Sequence, residues 1–179
     1  LPFGISPKMA MSVYRQYGFE SVNKVKENPY VLCMVKGLTF EDADRIADHE
    51  GFAKDADERF IACAMYVLKN NEITGSTGME LNDFGLKVYN SLNASVINPE
   101  FVNKKTIELI NSKKVRLVRD NGKQFLYTSA ALNREKEIAQ NIIRIYQSKL
   151  EKQYSRDEIS DALEKLLKKV HICLHEIQK

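Results

Sequence analysis

Two stretches of this chain repeat one pattern, and the repeat restricts how the N-terminal part can fold. Gly4 and Gly37 are each followed by an aliphatic residue and then a small hydroxyl residue, with an alanine six positions after the glycine. Glycine permits the positive φ of a tight turn, the aliphatic side chain fills the space between two helices, and the alanine lets those helices cross closely. The repeat therefore predicts two pairs of short helices, each joined by a tight turn.

Such a helix-hairpin-helix directs backbone N–H groups and a helix N-terminus at one point, where a phosphate can bind. In the first copy, Gly4, Ser6 and Lys8 are the candidate DNA-binding residues. The N–H groups from Ser6 to Lys8 would hold the phosphate and the Lys8 ammonium would add charge. The alternative is that the hairpin only packs helices together, and the sequence leaves both readings open.

Helix signals follow each hairpin in order. Pro7 suits the first position of a helix that ends at Gly18, and a second short helix with Val22 and Val25 inward covers 20–27. Asn28-Pro29 starts the first helix of the second hairpin, and the second helix spans 40–49.

A second unit begins near Asp57, where three predicted helices precede two strands. The strands cover 115–119 and 123–127 and are joined by Asp120-Asn121-Gly122, a sequence that favours a tight hairpin turn. This is the order of a winged helix, with the third helix, which contains Ile107 on its inward stripe, as recognition helix. The candidate DNA-binding cations near the wing are Lys113, Lys114, Arg116, Arg119 and Lys123. Phe125 and Tyr127 would stack on bases or join the core, and we expect at least one of them to be buried.

Two further amphipathic helices follow the wing, and we expect them to pair antiparallel. Ser155 and Glu158 have the spacing of a capping box at the start of the second. The chain stops shortly after this helix without a terminating signal and begins inside the first hairpin, so we expect it to be a piece of a longer protein.

Charge is distributed unevenly although the net charge is only +3. Residues 1–26 have four cations against one carboxylate, and residues 100–127 have seven against three, whereas residues 40–59 have three cations against eight carboxylates. Two basic zones therefore flank an acidic zone. No apolar run reaches the length of a membrane span and the N-terminus lacks a secretory signal, so we expect a cytoplasmic protein. Cys33, Cys63 and Cys173 are far apart in apolar contexts and are predicted to be small buried hydrophobes.

Several of these motifs resemble the N-terminal portion of the RecD-like ATP-dependent DNA helicases. The resemblance spans essentially the whole chain and rests on 4–10, 27–30, 37–40, 43–47 and 174–179. It implies a non-catalytic region of a 5′ to 3′ helicase acting in DNA repair or recombination. ATP and Mg would serve only the full-length enzyme. In that family a glutamine before the phosphate-binding loop reads adenine, and Gln178 matches it.

The second hairpin departs from the family pattern. Thr39 stands where a second glycine is usual, and Glu41-Asp42 stands where a basic residue would help to bind phosphate. We therefore interpret Gly37, Thr39 and Ala43 as structural residues of the turn, and place the phosphate contact at the first hairpin.

The sequence shows no catalytic motif, and in particular no phosphate-binding loop. His171, Cys173 and His175 have a spacing that two metal ligands on one helix face could share, but no further ligand stands at a fixed distance, which favours a linker. A metal or nuclease site at Asp42, Asp44, Asp48 and Glu50 is also disfavoured against a solvated helix face. We predict neither a catalytic nor a metal site.

These observations predict a mainly α fold. Residues 1–54 form tandem helix-hairpin-helices, 55–132 a winged-helix-like domain with one β-hairpin, and 133–179 a helical connector to a helicase core. The expected partners are that core and single-stranded or forked DNA bound without sequence preference, with no membrane. The alternative function is a protein-interaction module that docks on the core or on a repair partner through the acidic face.

Overall fold

A computed structural model describes residues 5–92, 97–148 and 154–170 of the chain. The chain divides into two compact units, Leu1–Ile138 and Ala139–Lys179. Among the described helices, none has the length and apolar character needed to cross a membrane. The predicted domain boundaries after residues 54 and 132 stay predictions.

The N-terminal part consists of short helices that begin and end where local chemistry directs. Helix α1 spans Pro7–Tyr17, α2 spans Ser21–Glu27 after a 3₁₀ turn at Gly18–Glu20, and α3 spans Phe40–His49. The segment between α2 and α3, Pro29–Met34, is a 3₁₀ helix, and the Asn28 side chain accepts a hydrogen bond from the Tyr30 N–H at its start. The predicted helix after the first hairpin turn and the two predicted helices of the second hairpin are thus confirmed, with Pro29–Met34 as a 3₁₀ helix.

The second part has the element order of a winged helix. Helix α4 (Asp57–Ile73) leads to strand β1 (Gly78–Glu80), helices α5 (Leu81–Ser91) and α6 (Pro99–Asn111), and strands β2 (Val115–Asp120) and β3 (Lys123–Thr128). The β2–β3 turn has positive φ at both Asn121 and Gly122, as an Asn-Gly hairpin turn requires. The sheet has the order β1-β3-β2, so the predicted hairpin gains a third strand.

One hydrophobic core connects the hairpin region and the winged-helix-like region. It includes Leu32, Phe40 and Ile46 from the hairpins and Phe60, Phe84 and Leu126 from the following elements, all almost fully buried. Two inward predictions are wrong. Val22 on α2 and Ile107 on α6 are exposed, because Val25 and Leu109 occupy the buried sides of these helices instead.

The last two helices are α7 (Ser129–Gln147) and α8 (Arg156–Val170). The capping box is confirmed, since the Glu158 N–H donates to Ser155 Oγ at 3.2 Å and the Ser155 N–H donates to the Glu158 carboxylate at 2.8 Å. From Ala139 onward every described residue of α7 is exposed, including the apolar stripe. The antiparallel pairing of the two helices stays a prediction.

Candidate nucleic-acid interface

The start of α1 has a serine cap and an exposed lysine in its first turn. Ser6 caps the helix, and its hydroxyl accepts a hydrogen bond from the Met9 N–H at 3.3 Å. Pro7 has no N–H to offer, which corrects the predicted run of donors from Ser6 to Lys8. Lys8 is exposed in the first turn, which contains no acidic residue. Its N–H and its ammonium therefore remain for an anion, whereas Gly4 lies outside the described residues.

The second hairpin has a glycine turn and a closed helix end. Gly37 has φ +88°, and Thr39 caps α3. The Asp42 N–H donates to Thr39 Oγ1 at 3.2 Å, while the Thr39 N–H donates to Asp42 Oδ2 at 3.1 Å. This capping box places a carboxylate where a phosphate would bind, and Glu41 adds a second negative charge in the first turn. Repulsion between these charges and a phosphate supports a structural role for this hairpin.

The buried residues of the second hairpin join its two helices. Leu38 is buried after the turn, and Ala43 is fully buried, which places the α3 backbone against the 3₁₀ helix Pro29–Met34. A larger side chain at Ala43 would have to displace one of these elements.

Asp44 holds this hairpin to the winged-helix-like region through Arg59. Arg59 is only 3% exposed. Its guanidinium donates to both Asp44 oxygens, at 2.7 and 2.8 Å, and to the carbonyls of Lys54 and Leu92, at 2.9 and 3.2 Å. The Tyr30 hydroxyl donates to Asp44 Oδ1 at 3.0 Å. One buried cation therefore ties α3 to the α3–α4 connection and to the end of α5.

The same network shifts the pKa values of its members. Burial alone would raise the pKa of Asp44, but hydrogen bonds from Arg59 and its positive charge outweigh burial and lower it. Burial and the neighbouring Asp44 carboxylate raise the pKa of Tyr30. Asp44 is thus ionised and fully engaged within the fold.

Three further carboxylates of the acidic zone also have partners inside the protein. Asp42 pairs with Arg45 at 3.1 Å, Asp48 with Lys54 at 2.7 Å, and Glu50 with His49 at 3.2 Å. In the part of the chain that the structure describes, no group of three or more His, Cys, Asp or Glu residues could hold a metal ion. His171, Cys173, His175 and Gln178 lie outside that part.

The register of the sheet separates the wing cations. Paired residues share a face, so Arg116 lies with Tyr127 on the outer face, whereas Arg119 lies with Gln124 on the core-facing side near the turn. Lys123, also on the outer face, pairs with Glu80 at 3.0 Å. Lys113 and Lys114 are exposed in the turn between α6 and β2. The five predicted residues therefore do not form one continuous surface.

Phe125 and Tyr127 are both half-buried, so the expectation that at least one is buried is wrong. The physical reason is the register, which directs Leu126 to the core and both aromatics to the outer face. The Tyr127 ring lies across Gly78, where a Cβ would come within 2.4 Å of it. Partial burial and the nearby Glu135 and Asp120 raise the pKa of Tyr127.

A comparison with protein-family models gives a direct match to the first part of the chain. Residues 1–78 match the family model described as the ATP-dependent RecD2 DNA helicase HHH domain. This region is a RecD2-like helix-hairpin-helix domain. The predicted resemblance is confirmed over residues 1–78, and the match indicates a DNA-binding region of a helicase family. The matched residues, 1–78, include both hairpins and α4.

Beyond the RecD2-like domain, a groove of about 630 Å³ lies between α5, α6 and the wing. Its lining is mainly apolar, with Leu86 and Ile107 exposed, and Arg119 is its one charged lining residue. The side of the predicted recognition helix that faces the wing is therefore apolar rather than basic.

One set of residues in the RecD2-like domain is missing from the sequence-based site. Met11, Tyr14, Arg15 and Phe19 are all exposed on α1 and the turn that follows it. The sequence offered a signal for Met11, which lies outside the apolar stripe predicted for α1, namely Met9, Ala10, Val13, Tyr14 and Tyr17. Tyr14 belongs to that stripe but is exposed.

Proposed function

We propose that this chain is the non-catalytic DNA-binding and DNA-positioning region of a 5′ to 3′ ATP-dependent DNA helicase that acts in DNA repair or recombination. Its partners would be single-stranded or forked DNA, bound without sequence preference, and its own helicase core. ATP and Mg would bind to that core, and the protein would act in the cytoplasm.

The observation that carries this proposal is the contrast between the two hairpins of the RecD2-like domain. Helix α1 starts with a serine cap, an exposed Lys8 and no carboxylate in its first turn. Lys8 is four residues after Gly4, and Glu41 is four residues after Gly37, so the two are counterparts. The Asp42 carboxylate already caps the N-terminal end of α3. Only the first of the two helix ends attracts an anion.

The wing is the second proposed contact with DNA, and Arg116 is expected to contribute most to it. Arg116 is exposed on the outer face, with Lys113 and Lys114 near the base of the hairpin. Lys123 is engaged by Glu80 and Arg119 borders an apolar groove, so their contributions would be smaller. The rival function, docking through the acidic face, has less support because Asp42, Asp44, Asp48 and Glu50 all have partners within the fold.

Fluorescence anisotropy with a labelled duplex over a range of salt concentrations tests the proposal. Each phosphate that a cation neutralises contributes about 0.9 to the slope of log affinity against log salt for duplex DNA. We expect Lys8→Gln to reduce that slope by about this amount. Lys36→Gln is the matched control, because Lys36 is also exposed but adjoins the closed hairpin.

Two results would contradict the proposed function. The first is a wild-type chain that fails to bind DNA at low salt, or binds with an affinity indifferent to salt. The second is an equal effect of Lys8→Gln and Lys36→Gln, which would remove the first hairpin as the contact.

A further inference from the structure

Among the described residues of the RecD2-like domain, Phe19 is the most exposed aromatic side chain, at 91%. Gly18 ends α1 with φ +59°, and the chain turns there into the 3₁₀ segment Gly18–Glu20. This turn takes Phe19 away from the buried side of α1, where Val13 lies. Full exposure of a phenylalanine costs free energy unless something in solution covers it.

Phe19 is not isolated. Its ring meets that of Tyr14 edge to face, with centroids 5.7 Å apart and an interplanar angle of 87°. Tyr14 is 46% exposed, Met11 53% and Val22 47%. Tyr14 and Phe19 therefore form an exposed aromatic patch at the C-terminal end of α1, and Met11 and Val22 are exposed apolar residues close to them in the sequence.

Cations outnumber carboxylates in the segment that contains the aromatic patch. Residues 5–26 have four, Lys8, Arg15, Lys24 and Lys26, against Glu20 alone. Lys8, Met11 and Arg15 are three and four residues apart, so they follow one another along one side of α1. That side begins at the proposed phosphate site and ends, about 16 Å away, at the aromatic patch.

Single-stranded nucleic acid binds to surfaces that combine exposed aromatic side chains with a row of cations. Unpaired bases offer a π-face for stacking, while the phosphates of the same strand meet the cations. A duplex offers only its phosphates to such a surface, because its bases are stacked on one another. The positive charge distinguishes this surface from the apolar, nearly uncharged groove beside α6.

We infer that Phe19 and Tyr14 form a stacking platform for an unpaired base of single-stranded DNA, whose adjoining phosphates contact Arg15 and Lys8. The inference deepens the proposed function and rests on it, since Lys8 is shared. On this inference, the single-stranded arm of a fork binds along the side of α1, where it contacts both the aromatic rings and the cations. The duplex contacts only the cations.

Anisotropy with the full chain tests the platform, using a labelled oligothymidine of about 15 nucleotides and a duplex of equal length. We expect Phe19→Ala to weaken single-strand binding about fivefold or more, to leave duplex binding unchanged and to keep the salt slope. Phe19→Trp should retain single-strand affinity. Arg15→Gln should lower the single-strand slope by about 0.7.

Tyr146→Ala is the matched control, because Tyr146 is 90% exposed but lies in the other compact unit. Equal single-strand affinities of Phe19→Ala and Tyr146→Ala would overturn the platform, as would an equal loss on single strand and duplex. A change of mass in sedimentation without a change in DNA affinity would also overturn it and indicate a protein contact instead. In all three cases wild-type duplex binding would leave the proposed function intact, whereas a wild-type chain that binds no DNA would refute both.

Discussion

The Arg59–Asp44 pair allows a sharp test of how the hairpin region is attached to the winged-helix-like region. Asp44→Asn preserves the size of the side chain but removes the charge that balances a guanidinium only 3% exposed. The carbonyls of Lys54 and Leu92 still accept hydrogen bonds from Arg59. They carry no full charge, so Arg59 would remain buried and uncompensated.

Leaving one member of a buried ion pair without its partner costs about 3–5 kcal/mol. The Asp44 side chain is 19% exposed, so water offers limited relief, and we expect a loss near 3 kcal/mol. Asp48→Asn is the matched control, one turn further along α3. Its pair with Lys54, at 2.7 Å, has side chains 62% and 40% exposed, and such surface pairs contribute only about 0–1 kcal/mol.

Urea unfolding of the wild type and both variants measures the difference in the free energy of unfolding. The pH dependence provides a second readout, because the folded pKa of Asp44 lies below its ordinary value of 3.8. The stability from this pair is therefore fully present above pH 3.8 and is lost as the pH falls through the lowered pKa. Asp44→Asn should lack this acid-dependent component. Equal destabilisation by the two variants would refute the reasoning, since it would mean that the burial of Arg59 does not matter.

Two further predictions concern packing. Gly78→Ala should destabilise the fold by about 1–3 kcal/mol, because its Cβ would lie 2.4 Å from the Tyr127 ring. Thermal unfolding of the single and double variants checks this, since in a Tyr127→Ala background the cost should largely disappear. Burial raises the pKa values of the Cys33 and Cys63 thiols to about 12, so both should resist alkylation at mildly alkaline pH until the protein is unfolded. Mass spectrometry of the two cysteine-containing peptides with and without urea measures this, and rapid labelling of the folded chain would contradict it.

Local chemistry determined many helix boundaries and turns of this structure, and these could be predicted from the sequence. The starts of α1 and α6, the ends of α1 and α3, and the Asn121-Gly122 turn all follow from residues within one helical turn of the boundary. The acidic first turn of the second hairpin was also visible in the sequence, although the Thr39–Asp42 capping box was not predicted.

The tertiary structure decided what depends on distant partners. Arg59 is fifteen residues from Asp44, and its role required both the middle of α3 and the end of α5. Strand β1 has only three residues, too few for a periodic pattern, and its hydrogen-bonding partner β3 follows α5, α6 and β2. An alternating or helical pattern identifies faces but not what each face meets, and this is why Ile107 and Val22 were placed inward and Phe125 in doubt.

The candidate interface also has residues that the sequence identified and features that only the tertiary structure decided. Ser6 and Lys8 were identified from the sequence because a helix end is a local structure, although the contact itself stays a prediction. The β2–β3 register and the Lys123–Glu80 ion pair determine which wing cations lie together. A count of charges along the sequence reveals neither. Phe19 was exposed by a glycine turn that directs the chain away from the core, and only the packed structure shows what that core leaves uncovered.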